Sequence, residues 1–422
     1  MSLLKAIMAA NKRGERKGIF AVCSAQPLVL RAALRHAAAN RAPLLIEATA
    51  NQVNQHGGYT GMTPADFIAF VRELAEAEGV PASQLIFGGD HLGPVAWKHL
   101  GPEAAMAEAE ALVRACVLAG FDKIHLDASM ACHGEQEPLG DALIAGRAAR
   151  LCRAAEEAAN GRELCYVIGT EVPPPGGVAS LAALEVTPVP AMEETVAAHK
   201  HAFVAEGLAE EVWNKVIALV VQPGVEFGHS QVHQYQPRLT REQQGFIRHQ
   251  SGLVFEAHST DYQLPEHYGE LVADHFAILK VGPELTFALR EALFALDHIE
   301  ELLVPAVKRA GLKAMCLDKM LAQPKYWQSF YTDPQLRDWQ LGFSYSDRIR
   351  YYWPELALTI DKLLANLKEP IPLPLISQYL PLQYPRVLRG QLPATGLELV
   401  LDHISLVLGR YADACQLSAK QG

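Results

Sequence analysis

The sequence predicts an α/β protein: a (β/α)8 TIM barrel followed by a helical C-terminal extension. Three observations predict it. Eight short apolar runs, each too brief for a helix, recur along the chain. Amphipathic or alanine-rich stretches separate them, and nearly every run ends in polar or ionisable residues. Strands that are apolar throughout must be covered on both faces, as in a parallel sheet flanked by helices. An open doubly wound sheet would carry a glycine-rich phosphate turn after its first strand. The turn here is Cys23-Ser24-Ala25-Gln26-Pro27, so the sheet is expected to close into a barrel.

In order, the expected strands are 18–24, 44–49, 85–90, 123–127, 164–171, 216–222, 253–258 and 276–281. The third is the plainest, because Leu85-Ile86-Phe87 stops abruptly in Gly88-Gly89-Asp90-His91. The intervening helices are expected at 27–39, 64–79, 102–120, 141–159, 191–207, 240–249 and 265–275, with an eighth at 283–303. Proline opens several of them, where its missing N–H is not needed, and glycine closes the second, third and fifth. The barrel is assigned to residues 1–300 and the extension to 301–422. Within the extension, Pro370-Ile371-Pro372-Leu373-Pro374 is expected to be an extended connector.

The formal net charge of −10 over 422 residues, with no run of Lys and Arg, excludes a polyanion-binding surface. No nucleic-acid partner is expected. The N-terminus lacks the apolar core of a signal peptide, and no run is long enough to span a bilayer, so a cytoplasmic protein without membrane attachment is expected. Seven scattered cysteines with no Cys-x-x-Cys pair indicate neither a disulfide framework nor a thiolate zinc site.

In a barrel of this kind, reactive groups stand at the carboxyl ends of the strands. The first strand ends in Ser24; the second carries Glu47, followed by Asn51 and Gln52. The third delivers Asp90 and His91, and the fourth His125, Asp127 and Ser129. The fifth ends in Glu171, and the sixth leads to Gln222 and His229. The seventh carries Glu256, His258, Ser259 and Asp261, and the eighth Lys280. Carboxylates and imidazoles crowded on one rim repel or are desolvated unless a cation joins them. A divalent metal is therefore expected, with zinc or manganese suited to imidazole and carboxylate ligands. An Asp-His pair at a strand end divides that labour: the imidazole holds metal and the carboxylate moves a proton. Other readings stand beside this one. His125 and Asp127 alternate along their strand and could be a buried polar pair. Glu47 and Glu256 could be ion-pair partners that make Lys280 structural; a Schiff-base role for Lys280 would need a depressed pKa that such neighbours oppose.

Gly89-Asp90-His91, Ile124 to Ser129, Gly169-Thr170-Glu171, Phe255 to Ser259 and Ile278 to Val281 resemble, in the same order, the class II fructose- and tagatose-bisphosphate aldolases. The resemblance implies Asp90 as acid/base and His91 and His258 as metal ligands. A further ligand would be His229, after the sixth strand, or Glu171 in its place. Longer strings resemble the GatZ/KbaZ family. They include Glu47-Ala48-Thr49, Gly57 to Pro64, His258 to Tyr262, Ser346 to Pro354 and Ile376 to Pro381. That family implies one of two functions: a D-tagatose 6-phosphate 4-epimerase, or a non-catalytic, stabilising subunit of tagatose-1,6-bisphosphate aldolase.

The expected site therefore has Asp90, Glu171 and Asp127 as catalytic residues, and His91, His258, Glu171 and His229 around a divalent metal, zinc before manganese, nickel, cobalt or magnesium. The phosphorylated ketohexose would be held by Ser24, Glu47, Asn51, Gln52, His125, Ser129, Gln222, Ser259, Asp261, Lys280 and Arg348. Arg348 and Arg350 favour phosphate if the extension folds over the barrel mouth. Expected partners are a class II aldolase catalytic subunit and a second copy of this chain.

Overall fold

Four- to eight-residue runs of β-branched and other apolar side chains form the strands, and the computed structural model, which describes residues 2–169 and 184–417, closes them into one barrel. The strands are β1 (Ile19–Val22), β2 (Leu44–Thr49), β3 (Leu85–Leu92), β4 (Lys123–Leu126), β5 (Cys165–Ile168), β6 (Val216–Val220), β7 (Val254–Ala257) and β8 (Phe276–Val281). All neighbours pair in parallel, and β8 returns to β1 with Ile19 opposite Ile278. A short antiparallel ribbon, Glu226–Phe227 with Val232–His233, follows β6.

The barrel interior is layered. At the amino end, Ile19, Leu45, Ile86, Cys165, Ile217, Val254 and Ile278 form an apolar floor that Leu4 and Met8 plug from below. These two belong to an N-terminal helix, Leu3–Lys12, which was not among the expected elements. Its end is tied down by Asn11, whose side-chain amide donates to Val272 O. Above the floor the filling changes character: Glu47, Lys123, Glu256 and Lys280 occupy the middle of the barrel, all buried. Gly88 makes room for them, because a Cβ there would stand 2.8 Å from Cγ of Glu47.

Past residue 303 the chain continues as helices. The last, Gly396–Ala414, packs on Pro27–Asn40, Pro265–Ala273 and Pro283–Leu303, and the apolar cluster outside the barrel runs without a break into the extension. The proline-rich connector is shorter than expected. Helix Leu373–Tyr379 starts inside it, since Pro374 falls in the first helical turn, where no intrahelical N–H is required. Among the described residues no helix is long and apolar enough to cross a membrane, and all seven cysteines are free.

β3 and β4 approach so closely at their carboxyl ends that only glycine fits at 93, where an added Cβ would lie 1.6 Å from Asp127 O. Gly93→Ala must displace backbone, and is expected to lower unfolding free energy by about 1–3 kcal/mol in urea titration. An unchanged midpoint would contradict this close approach.

Candidate active site

Successive residues of a regular strand point to opposite faces, so Asp90 and His91 could not both face the barrel axis. The pairing of β3 with β4 loses register between Gly89 and Leu92, and His91 takes a left-handed backbone (φ 48°). That bulge re-aims the strand end. Asp90 and His91 then meet His125 of β4 and His258, just past β7. One donor atom from each of these four residues lies within 4.8 Å of the others. The ring centroids stand 4.9 Å (His91 to His125), 4.8 Å (His91 to His258) and 5.4 Å (His125 to His258) apart.

Each imidazole donates from one nitrogen. His91 Nδ1 donates to Asp127 Oδ2 at 2.7 Å, His125 Nε2 to Gly169 O at 3.2 Å, and His258 Nε2 to Glu256 Oε1 at 3.0 Å. These partners assign the tautomers and leave lone pairs on His91 Nε2, His125 Nδ1 and His258 Nδ1, that of His125 accepting from the His91 backbone N–H at 3.3 Å. The first two lie 3.6 Å from Asp90 Oδ1. Histidines that ligate metals are held in this way, by a carboxylate or carbonyl on the far nitrogen. The donor set therefore fits a divalent cation of the zinc or manganese class.

Beneath the imidazoles lies the ionic layer. Lys123, with no exposed surface, contacts Glu47 at 2.6 Å and Glu256 at 2.7 Å. Lys280 pairs with Glu47, with Asp90 at 2.6 Å and, more distantly, with Glu256 at 3.8 Å. Burial opposes every charge here, yet the pairs prevail: Lys280 and His91 hold Asp90 well below the usual carboxylate range, and Lys123 and Lys280 do the same for Glu256. Burial likewise opposes protonation of His91, but Asp90 and Asp127 draw its pKa up. His258, buried and facing His91 and Lys280, is lowered to about 3 and is neutral. Three carboxylates share two ammonium groups, so the layer carries an excess negative charge just under the imidazole donors.

A cavity of about 500 Å³ opens above this cluster. Ser24, Asn51, Gln52, Asp90, His91, Asp127, Ser129, His258, Ser259, Asp261 and Lys280 line it on the barrel side. The extension folds over the mouth and contributes Arg348, Arg350, Tyr351 and Trp353.

Residues 4–416 match the family model described as D-tagatose-1,6-bisphosphate aldolase subunit GatZ/KbaZ-like. The chain belongs to the GatZ/KbaZ-like family. A crystal structure described as a probable tagatose 6 phosphate kinase from Sinorhizobium meliloti 1021 shares 47% identity, covering 94% of this chain and 100% of that one, with a TM-score of 0.88. The YdjI aldolase from Escherichia coli K12 matches at 13% identity over 86% of this chain and 96% of that one, TM-score 0.43. A fructose-bisphosphate aldolase from Campylobacter jejuni matches at 14% over 85% and 93%, TM-score 0.44.

In this GatZ/KbaZ-like chain most expected site residues converge, and four stand elsewhere than expected. His229 is not in the imidazole cluster. Its Nε2 donates to Phe330 O at 3.1 Å and its Nδ1 meets the hydroxyls of Ser344 and Ser346, so both nitrogens are taken by the extension. His125, expected among the sugar-holding residues, stands in its place beside His91 and His258. Gln222 stays outside the cavity lining, its side-chain oxygen accepting from Gly224 N and Val225 N. Glu47 lies below the cavity, held between the two lysines. Glu171 lies outside the described residues. Lys123 was missed, although its period-two spacing with His125 and Asp127 placed all three on one face. Tyr59 and Tyr351 of the cavity wall, with rings 5.3 Å apart, were missed as well.

Removing one member of a buried ion cluster leaves the others uncompensated. Lys123→Met is expected to cost about 3–5 kcal/mol of stability in urea titration. The same layer sets an acid limit. Carboxylates whose folded pKa is depressed, here Asp90, Asp127 and Glu256, contribute stability that is complete above the unfolded pKa and lost as pH falls below it. The urea midpoint is therefore expected to drop as pH falls below about 4, where these carboxylates are protonated; a midpoint that keeps rising below about pH 4 would contradict the pairing.

Proposed function

We propose that this chain is a metal-dependent epimerase of ketohexose phosphates, interconverting D-tagatose 6-phosphate and D-fructose 6-phosphate at C4 by retro-aldol cleavage and aldol rebonding. The observation that carries this reading is the convergence of Asp90, His91 and His258 at the base of the cavity, with His125 buried beside them. C4 is β to the ketone, so its C–H proton is not acidified and direct removal is implausible. Breaking C3–C4 avoids that difficulty.

Asp90, ionised by its contact with Lys280, accepts the C4 hydroxyl proton. The O–H electron pair becomes the C4 carbonyl, and the C3–C4 pair passes into the enediolate of the three-carbon ketone fragment. When bound, a divalent cation held by His91, His125 and His258 supplies Lewis-acid stabilisation of the charge developing on the ketone oxygens. The aldehyde fragment presents its other face, the bond re-forms, and Asp90 returns its proton to the inverted hydroxyl. Asp127 keeps His91 in its tautomer, and Ser129 donates to Asp127 at 2.6 Å. Ser24, Asn51, Gln52, Ser259 and Asp261 meet sugar hydroxyls from the wall. Glu171 is proposed as a further acid/base or ligand.

The family description and the Sinorhizobium relative's description both name tagatose phosphates, which supports the substrate. Phosphoryl transfer is not carried over from the latter, because it needs a cradle for a nucleotide, whereas this cavity floor is built of imidazoles and carboxylates. The family description also favours a second reading, a non-catalytic subunit that stabilises an aldolase partner. Against it stands the cost of burying so many ionisable groups without a use.

Purified chain alone, given zinc and tagatose 6-phosphate, is expected to form fructose 6-phosphate. Asp90→Asn is expected to lower turnover by roughly 10²–10⁴ while metal content is kept; His91→Ala is expected to lose metal and turnover together. Full turnover by Asp90→Asn would remove Asp90 from the mechanism, and a wild-type chain inert with every divalent metal would favour the subunit reading.

A further inference from the structure

Four cations line the cavity among the described residues: Arg31, Lys280, Arg348 and Arg350. Three are committed. Arg31 pairs with Glu78 at 2.8 Å and Lys280 with the carboxylates below it. Arg350 donates to Ser346 O at 2.5 Å, to Asp347 O at 3.0 Å and to the Tyr351 hydroxyl at 3.1 Å. Arg348 is different. It is 6% exposed, its Nε has no hydrogen-bond partner, and among the described residues no carboxylate forms an ion pair with it. Its guanidinium lies 3.2 Å over the Phe330 ring and meets the Tyr351 hydroxyl, a neutral partner, while the charged group it faces is another cation, Arg350. Burial and that repulsion lower its pKa to about 10. The nearby carboxylate, Asp347, is engaged by the Thr286 hydroxyl at 2.5 Å. A buried guanidinium with a cation for a neighbour is costly unless an anion completes the site.

We propose that Arg348 is the receptor for the substrate's phosphate, and that His229 is the residue that positions it. A planar guanidinium matches two phosphate oxygens at once, and two adjacent guanidiniums favour a dianion over a hydroxyl or a single carboxylate. His229 acts through the segment that carries Arg348. It holds Ser344 and Ser346; Ser346 meets the Tyr331 hydroxyl at 3.2 Å, and that hydroxyl accepts from Arg348 N at 3.4 Å. The reacting end of the sugar then lies on the imidazoles and its far end on the extension. Discrimination between phosphorylated and free ketose resides in the extension, outside the barrel. This assignment rests on the proposed function for its ligand, a ketose phosphate.

The test needs no turnover. Inorganic phosphate is titrated calorimetrically into the full chain, cleared of metal with a chelator. Wild type is expected to bind, Arg348→Met to bind at least tenfold more weakly, and Arg348→Lys to regain part of the loss. His229→Ala is expected to weaken phosphate binding as well, and His229→Gln, whose amide both donates and accepts, to restore it. Equal affinity in wild type and Arg348→Met would overturn the proposal, as would a wild type that takes up no phosphate. Glucuronate binding more tightly than phosphate would overturn it too, by making the site a carboxylate receptor. Since catalysis is not measured, these failures leave the epimerase reading standing, and an inert chain that still binds phosphate through Arg348 leaves this one standing.

Discussion

The ammonium of Lys123, shut inside the barrel between Glu47 and Glu256, is the contact on which the site depends. It fixes both glutamates. Glu47 in turn holds Lys280, Lys280 holds Asp90, and Glu256 holds the ring of His258. A barrel centre is ordinarily filled by branched apolar side chains. Here only the amino-terminal floor is filled that way, and the layer above it is ionic. Such a layer is weak evidence for stability, because desolvation offsets much of the attraction. Its effect is to fix positions: the Asp90 carboxylate and the His258 ring are each set by a partner that cannot move without uncovering a buried charge. The excess of carboxylate over ammonium also gives a divalent cation a favourable place at the imidazoles above.

The cavity is shared between two parts of the chain. The barrel supplies the floor, where bonds to the sugar would break and form, and the extension supplies the roof. Helix Gly396–Ala414 ties the two together through Arg410 with Glu284 at 2.5 Å and the Tyr411 hydroxyl with Thr260 at 3.1 Å. Glu284 and Thr260 flank Asp261, which burial and the charge of Glu284 push up to about 7 and which caps Gly282 N and Glu284 N. The loops beyond β7 and β8 are thereby shaped from outside the barrel.

Much of this was legible in the sequence, for reasons that particular residues make plain. Strand positions could be read because runs such as Leu44 to Ile46 and Phe276 to Leu279 are apolar on both faces, which only a covered parallel sheet permits. Asp90, His91 and His258 could be read because a barrel concentrates chemistry at strand ends. The third imidazole could not. Period-two spacing put Lys123, His125 and Asp127 on one face without saying whether it looked inward, and the bulge at Asp90 and His91 is a departure from that same period. His229 was misread because its partners, Ser344 and Ser346, are 115 and 117 residues away in sequence. The N-terminal helix was missed because its apolar stripe, Leu4, Ile7 and Met8, covers little more than one turn.

Equilibrium dialysis with zinc most directly separates which imidazoles form the proposed metal site. His125→Ala is expected to lose the bound ion, whereas His229→Ala is expected to keep one ion per chain, because the His229 ring lies against the extension. Retention of zinc by His125→Ala together with its loss from His229→Ala would contradict the geometry and return the third ligand to the loop after β6.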